Sequence, residues 1–203
     1  SYMLDTVDLH VQQDTSRLSQ HFTDKDNILR LWPPFDFSVF HPGAERRDIP
    51  ISFVGALIGY QNVRIDYLNY LKEQNIDVYH TGGVCEQRVS LEEYADIFRR
   101  SKISLNFSQD SLKGDQLKHR VFEILFSGAL LMENENSETK QFFTPMIDYV
   151  TFDSKADLAD KVRYYLEHDA ERQEIAYNGY KKATTEYNHQ VFWKRIMDKL
   201  AEL

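Results

Sequence analysis

The sequence contains little of what holds disulfide-rich proteins or cysteine-based metal proteins together. Among its 203 residues there is one cysteine, Cys85, which excludes an intrachain disulfide and a cysteine metal cluster. No apolar run approaches the ~18–20 residues of a membrane span, and no signal peptide is visible. The net charge of −8 argues against nucleic acid as a partner, because neutralising phosphates requires a basic face. We therefore expect a cytoplasmic protein and leave peripheral attachment to a membrane open.

The composition and the rhythm of apolar segments predict one folded α/β domain. Hydrophobic residues make up 42% of the chain and aromatic residues 13%, which is typical of a globular protein with a core. Strands alternate with helices, which predicts a Rossmann-like parallel sheet with helices on both faces. Such sheets bind ligands at the carboxyl ends of their strands. We place the strands at residues 51–54, 76–80, 103–107, 129–132 and 149–152.

The chain divides into an N-terminal segment and a domain. Residues 1–48 are interpreted as an N-terminal segment and interdomain linker, in which Pro33-Pro34 forces an extended path and Pro42-Gly43 forms a turn. Residues 49–203 are predicted to form the sheet domain. Within it, Ser90 and Glu93 have the spacing of a capping box, and Ser137 is predicted to cap a short helix that runs to residue 143.

The central stretch, residues 114–133, combines cations, a carboxylate and a buried strand. Lys118 and Arg120 come at the start of a predicted helix, where the partial positive charge of the helix favours an anion. Arginine can bind phosphate oxygens with two parallel hydrogen bonds. Glu123 follows one turn later, about 4.5 Å along the axis, which suits the offset between a diphosphate and a ribose. Alternatively, Arg120 and Glu123 form an ordinary i,i+3 pair on a solvated face.

Several motifs in their order along the chain resemble the C-terminal, donor-binding domain of group-1 GT-B glycosyltransferases. The branch that looks most similar is the one related to spore maturation protein CgeB. The motifs that carry the resemblance are residues 51–55 followed by Arg64, residues 90–94, residues 105–108, the Lys118, Arg120 and Glu123 series with Gly128, and residues 166–180.

The resemblance implies one half of a GT-B fold that binds a nucleoside-diphosphate sugar, most readily a UDP-sugar. It implies hexosyl transfer, with retention favoured over inversion, to a glycan, lipid or protein acceptor held by an N-terminal half. The chain is then one part of a longer enzyme and need not turn over alone. We expect no metal and no other cofactor, because the helix terminus and its cations can stabilise the departing diphosphate.

The same resemblance assigns roles to individual residues. The catalytic set is Asp115, Lys118 and Arg120, of which Asp115 stands where many retaining members carry the first of two glutamates. That departure puts the sugar contact and the stereochemical outcome in doubt. The donor-binding set comprises Gly55, Arg64, Gly82, Gly83, Lys118, Arg120 and Glu123.

Simpler interpretations remain for several of these residues. Gly55 can end a strand, Arg64 can lie on a helix surface, and Gly82-Gly83 can form a turn before a loop that contacts the base. For the whole chain, the alternative is a non-catalytic nucleotide-binding or protein-interaction module with the same fold. A dinucleotide oxidoreductase is disfavoured, because no Gly-x-Gly-x-x-Gly follows the first strand.

Overall fold

The computed structural model of the protein describes residues 7–12, 27–32, 35–43, 46–57, 62–82, 89–108 and 115–203. The strands in these ranges are β1 His10–Gln12, β2 Ile28–Arg30, β3 Ile49–Val54, β4 Tyr79–Thr81, β5 Ser101–Asn106, β6 Leu130–Asn134 and β7 Val150–Phe152. The α-helices are α1 Asn62–Glu73, α2 Leu91–Arg100, α3 His119–Phe126, α4 Lys155–Glu167, α5 Asp169–Glu186 and α6 His189–Glu202.

A five-stranded sheet in the order β4-β3-β5-β6-β7 forms the centre, and every neighbouring pair is parallel. The register pairs Ile51 with Ile103 across β3 and β5, and Leu105 with Met132 across β5 and β6. After β3 the chain goes to the edge strand β4 and then returns to β5 on the other side of β3. The strand order therefore reverses between β3 and β5, which is where a sheet of this kind opens a crevice for a ligand.

Side chains that alternate along the strands fill two separate cores. Leu130 and Met132 point to one face of the sheet and Leu131 to the other. The first face packs against α1 and α4, and the second against α2 and α3. The predicted parallel sheet with helices on both faces is confirmed. Alternation with a period of two places these apolar residues on both sides, so both faces need helices to exclude water.

Of the two helix caps predicted from the sequence, the one at Ser90 is present and the one at Ser137 is not. Ser90 accepts a hydrogen bond from the amide of Glu93 at 3.1 Å, and the Glu93 carboxylate accepts one from the Ser90 amide, so the capping box is confirmed. The short helix predicted from Ser137 to residue 143 is present only as a 3-10 helix at Thr139–Gln141, and its N-cap residue is Glu138 rather than the predicted Ser137. The Ser137 hydroxyl instead donates to Asp115 at 2.8 Å, so it does not cap a helix.

Part of the N-terminal segment packs on the sheet domain. Trp32 is 0% exposed and lies 4.8 Å from the ring of Tyr187 and 6.2 Å from that of Phe192. Phe35 stacks on Phe122 with ring centroids 5.4 Å apart. The neighbouring Trp193, by contrast, is 57% exposed. The domain boundary at residue 48 stays a prediction. None of the described helices combines the length and the apolar character needed to cross a bilayer.

Candidate functional site

Arg120 lies at the reversal of strand order, between the ends of β3 and β5. Its Nη1 donates to the side-chain oxygen of Asn106, the last residue of β5, at 3.1 Å. A Cβ placed on Gly55, just after β3, would lie 3.2 Å from its Nη2. The guanidinium carbon is 5.8 Å from the ring centroid of Phe53. Glycine at position 55 therefore lets the guanidinium approach the backbone closely.

Arg64 reaches the same edge of the sheet from α1. Its Nη1 donates to the carbonyl of Ala56 at 3.3 Å and its Nη2 to the carbonyl of Phe107 at 3.2 Å. The guanidinium carbon lies 6.0 Å from the ring centroid of Phe53. Arg64 thus ties together the backbone after β3 and the backbone after β5. It also brings a second positive charge to the crevice beside Arg120.

The amino end of α3 faces this edge with cations and without a compensating acid. Lys118 occupies the N-cap position with extended backbone, and its side chain forms no capping hydrogen bond. Its ammonium donates to the side-chain oxygen of Gln116. The first turn of α3 contains no acidic residue. The unsatisfied amides of a helix start carry partial positive charge, and here the side chains add to it.

Glu123 lies one turn further along α3 and is bound by Tyr94 of α2. The Tyr94 hydroxyl donates to Oε2 of Glu123. Burial raises the pKa of Glu123, while the Tyr94 hydrogen bond and the charge of Arg120 oppose that rise. Burial and the Glu123 charge raise the pKa of Tyr94, so the phenol keeps its proton and remains a donor. Glu123 thus pairs with Tyr94 in a half-buried position, rather than with Arg120 on a solvated face.

Asp115 connects the segment before α3 to the loop after β6. Its Oδ2 accepts hydrogen bonds from the amide of Ser137 at 2.7 Å and from the Ser137 hydroxyl at 2.8 Å. The Asn136 side chain strengthens the connection by donating to the carbonyl of Gln116 at 2.8 Å. The described contacts of Asp115 position the loops at this edge, and its contact with a donor sugar stays a prediction.

Gly82 also has a conformational requirement. Its φ is +97°, a region that residues with a Cβ rarely adopt. A Cβ at this position would lie 2.9 Å from the amide nitrogen of Gly55. The two glycines therefore allow the turns after β3 and β4 to touch. Gly83, and the loop to residue 88 that we expect to contact the base, lie outside the described residues.

A buried polar network behind Arg120 is absent from the sequence-based site assignment. The Asn106 side chain donates to Oε1 of Glu133 at 2.8 Å and to the Ser108 hydroxyl at 2.9 Å, while the Ser108 hydroxyl donates to the same Glu133 oxygen. Glu133 is 0% exposed. Burial raises its pKa to about 7, against the effect of these hydrogen bonds. The network fixes the Asn106 amide so that its oxygen faces Arg120.

One signal could have identified these residues. Asn106, Ser108 and Glu133 stand at or just after the carboxyl ends of the central strands, where ligand-facing groups collect. Glu133 directly follows the apolar strand residues Leu130, Leu131 and Met132, and a polar residue in that position is a pattern that sequence inspection can find. Tyr94 has no comparable signal, because its contact with Glu123 depends on how α2 packs beside α3. Within the described ranges, no three His, Cys, Asp or Glu side chains are grouped closely enough to hold a metal ion.

Solved structures share this fold at low sequence identity. The C-terminal domain of LpcC, a group 1 family glycosyl transferase from Francisella tularensis, is 16% identical, with a TM-score of 0.62 over 77% of this chain and 100% of that chain. S. aureus TarM, in a complex that includes UDP, is 10% identical, with a TM-score of 0.73 over 97% of this chain. HepE from Anabaena, in complex with UDP-glucose, is 10% identical, with a TM-score of 0.68 over 97% of this chain.

These structures share the fold of this chain, and TarM and HepE are longer than it. The chain spans 44% of the TarM chain and 64% of the HepE chain. A search of curated protein sequences finds no significant match. The family model described as glycosyl transferase-like matches residues 39–198, a range that includes the sheet, the α3 site and most of the helical tail. On that match, the chain belongs to the glycosyl transferase-like family.

Proposed function

We propose that this chain is the donor-binding half of a metal-independent glycosyltransferase that uses a nucleoside-diphosphate sugar. The observation that carries the proposal is the position of Arg120, at the amino end of α3 and between the ends of β3 and β5. This is the crevice where parallel sheets bind nucleotides. UDP is the first candidate, because TarM and HepE, which have the same fold, were solved with UDP or UDP-glucose.

The cations supply the electrostatic part of the mechanism. Negative charge develops on the β-phosphate as the sugar leaves, and groups that bind this charge in the transition state accelerate the reaction. Arg120 has a buried Nε without a hydrogen-bond partner, and its Nη1 is held by Asn106. We assign the diphosphate to Arg120, Lys118 and the first amides of α3. A metal is not required for this charge balance, so we expect the affinity for UDP to be unchanged by EDTA.

Glu123 is assigned to the ribose. Tyr94 occupies its Oε2, which orients the carboxylate and leaves Oε1 as the acceptor for the ribose hydroxyls. Glu123 lies one turn beyond Arg120 on the same helix. A diphosphate at the helix terminus therefore places the pentose beside it. The carboxylate must be ionised to accept two strong hydrogen bonds. Burial raises the pKa of Glu123, and the Tyr94 hydrogen bond and the positive charge of Arg120 oppose that rise and favour the ionised form.

The acceptor belongs to a second half. The lengths of TarM and HepE leave room for an N-terminal domain in a longer protein. We assign to it a glycan, lipid or protein acceptor. Hexosyl transfer with retention, a cytoplasmic location and the relationship to the CgeB branch belong to the same proposal. A contact of Asp115 with the donor sugar is also part of this proposal, and the described contacts of that carboxylate go to Ser137.

Titration calorimetry with UDP tests the site. Arg120→Ala and Glu123→Ala each remove a charged hydrogen-bond partner, so each should weaken binding about tenfold or more. Arg163→Ala and Glu174→Ala, on exposed parts of α4 and α5, are the matched controls and should bind like the wild type. Wild-type affinity in both site variants, with the fold intact, would refute the assignment.

A non-catalytic protein-interaction module with the same fold is the second candidate. The observation in its favour is Asp115, which is shorter than glutamate and is bound to the Ser137 loop. Saturation-transfer NMR with UDP, GDP, ADP, CMP and dTDP separates the candidates. A transferase domain shows a nucleotide signal that Arg120→Ala reduces, whereas a protein-interaction module shows none.

A further inference from the structure

A second cavity opens at the opposite edge of the sheet. It encloses about 580 Å³ and is formed around Lys102 near the start of β5, Gly128 just before β6, and the first half of α5. Asn106 of the donor site ends the same strand, about 13 Å from Lys102 at ~3.3 Å per residue. The cavity is therefore distinct from the donor crevice and lies at the amino ends of the strands. Its volume is that of a small-molecule site.

The cavity is strongly basic, although the chain is acidic. Among the described residues that line it, four carry cationic side chains and one carries a carboxylate, which gives these residues a formal charge of +3 within a chain of −8. Concave surfaces lined by one sign of charge focus the electrostatic field and concentrate counter-ions. The charged lining residues are Arg46, Arg47, Lys102, Arg172 and Asp169.

Two of the cations are part of the framework. Arg47 donates to four carbonyl oxygens at the carboxyl ends of α2 and α3, at distances from 2.7 to 3.0 Å. Arg172 is 4% exposed and pairs with Asp169 at 2.5 Å. Burial and the nearby charge of Arg172 lower the pKa of Arg47 to about 10. Asp169 is the one acid among the described lining residues, so the charges of those residues sum to an excess of positive charge.

The other two cations are available to a ligand. Arg46 is exposed and Lys102 is half-buried, and neither donates a hydrogen bond to another described residue. The aromatic ring of Tyr177 stands at the cavity and is 60% exposed. Tyr180, Ala176 and Pro42 add further apolar surface. The cavity thus offers anion-binding donors on one side and a ring-sized apolar wall on another.

We propose that this cavity binds a small phosphorylated molecule at a site separate from the donor crevice. Its phosphate lies between Arg46 and Lys102, within the field of the two framework arginines, and its organic body packs against Tyr177. A phosphate dianion offsets most of the local charge, and guanidinium and ammonium groups both bind phosphate oxygens strongly. The limited size of the cavity favours a small molecule over an extended polyanion, which would need a long basic face.

Calorimetry with glucose 6-phosphate and with inorganic phosphate at low ionic strength tests the proposal. The double variant Arg46→Ala with Lys102→Ala should lose about tenfold or more in affinity for both probes. Lys72→Ala with Lys194→Ala makes the same charge change on exposed surfaces elsewhere and should bind like the wild type. Absence of binding by the wild type, or equal losses in the two double variants, would overturn the proposal.

Two further single variants test the same site, and their melting temperatures distinguish a loss of binding from a loss of folding. Arg46→Glu alters a single exposed side chain, so reduced binding with an unchanged melting temperature supports the site, and wild-type affinity contradicts it. Tyr177→Ala should weaken glucose 6-phosphate binding several-fold while leaving inorganic phosphate unaffected, because only the sugar contacts the ring. Equal effects on both probes would contradict the assigned orientation.

These experiments distinguish a failure of the donor-site assignment from a failure of the second-site proposal. Arg120→Ala should leave both phosphate probes bound as in the wild type, and the Arg46 and Lys102 double variant should leave UDP affinity unchanged. If Arg120→Ala abolishes binding of the phosphate probes, they occupy the donor crevice and the second site is refuted. If UDP does not bind but the phosphate probes still respond to the double variant, the proposed function fails and the second site stands.

Discussion

Replacing Glu133 by glutamine isolates the energetic cost of a buried carboxylate. The side chain is 0% exposed, and its Oε1 accepts hydrogen bonds from Asn106 and Ser108. Its Oε2 is buried and has no hydrogen-bond partner. Glutamine has the same shape and keeps an oxygen acceptor, but it cannot ionise. Glu133→Gln therefore changes the charge while retaining the hydrogen bonds to Oε1.

The sign and size of the effect follow from the pKa. Burial raises the folded-state pKa of Glu133 to about 7 from an ordinary value of 4.5. Below 4.5 both the folded and the unfolded states hold the proton, and the group does not alter the free energy of unfolding. Between these values the unfolded state loses its proton first, so the stability of the wild type falls as pH rises. Above about 7 the accumulated loss is about 3 kcal/mol.

Urea denaturation of both proteins across this pH range measures the difference. We expect Glu133→Gln to gain up to about 3 kcal/mol relative to the wild type between acidic and mildly alkaline pH. Changing a buried carboxylate oxygen to an amide also shifts the free energy of unfolding by an amount that is the same at every pH, so only the pH-dependent part of the difference tests the argument. Glu174→Gln removes a carboxylate at an exposed position and is the matched control. Parallel curves for wild type and Glu133→Gln, or a relative gain by the wild type as pH rises, would refute the argument.

Three stability predictions concern the framework. Gly179→Ala should lower the free energy of unfolding by about 1–3 kcal/mol or more, because the new Cβ would lie 2.2 Å from the carbonyl oxygen of Asp148. Gly43→Ala, whose Cβ would lie 3.4 Å from the nearest side-chain atom, is the control and should change little. Equal urea midpoints for the two variants would contradict this prediction. Arg47→Met should lose about 2–4 kcal/mol by leaving carbonyls at two helix ends unpaired, and a loss within experimental error in thermal unfolding would disprove that role. Ser90→Ala should cost about 1 kcal/mol by removing the cap of α2, and an unchanged free energy of unfolding would argue against it.

The fold could be predicted because its signals are local. Runs of apolar residues indicated the strands, and the Ser90 and Glu93 pair marked the start of α2 correctly. The order of the strands was not predicted, because it depends on which crossovers pass over which face. The cap expected at Ser137 failed for a related reason: Asp115, 22 residues away in sequence, accepts hydrogen bonds from both the amide and the hydroxyl of Ser137 and so fixes this residue in a loop.

The candidate site was predicted in part, and its incompleteness has a physical cause. Arg120 and Glu123 were identified from their spacing on one helix and from the family pattern. Their partners Asn106 and Tyr94 come from other elements, 14 and 29 residues away in sequence. No local pattern encodes contacts of that kind. Glu133 shows the same limit, since an acid that follows three apolar strand residues becomes a buried acid only when the loops close over it.

The two tryptophans of the chain differ in a way that experiments can exploit. Trp32 lies in a dry pocket between Tyr187 and Phe192, while Trp193, on the same C-terminal helix as Phe192, faces solvent. Emission from Trp32 should be blue-shifted and protected from iodide or acrylamide, and emission from Trp193 should be red-shifted and quenched. Detachment of that helix would convert the first signal into the second, so intrinsic fluorescence reports this event without an attached dye.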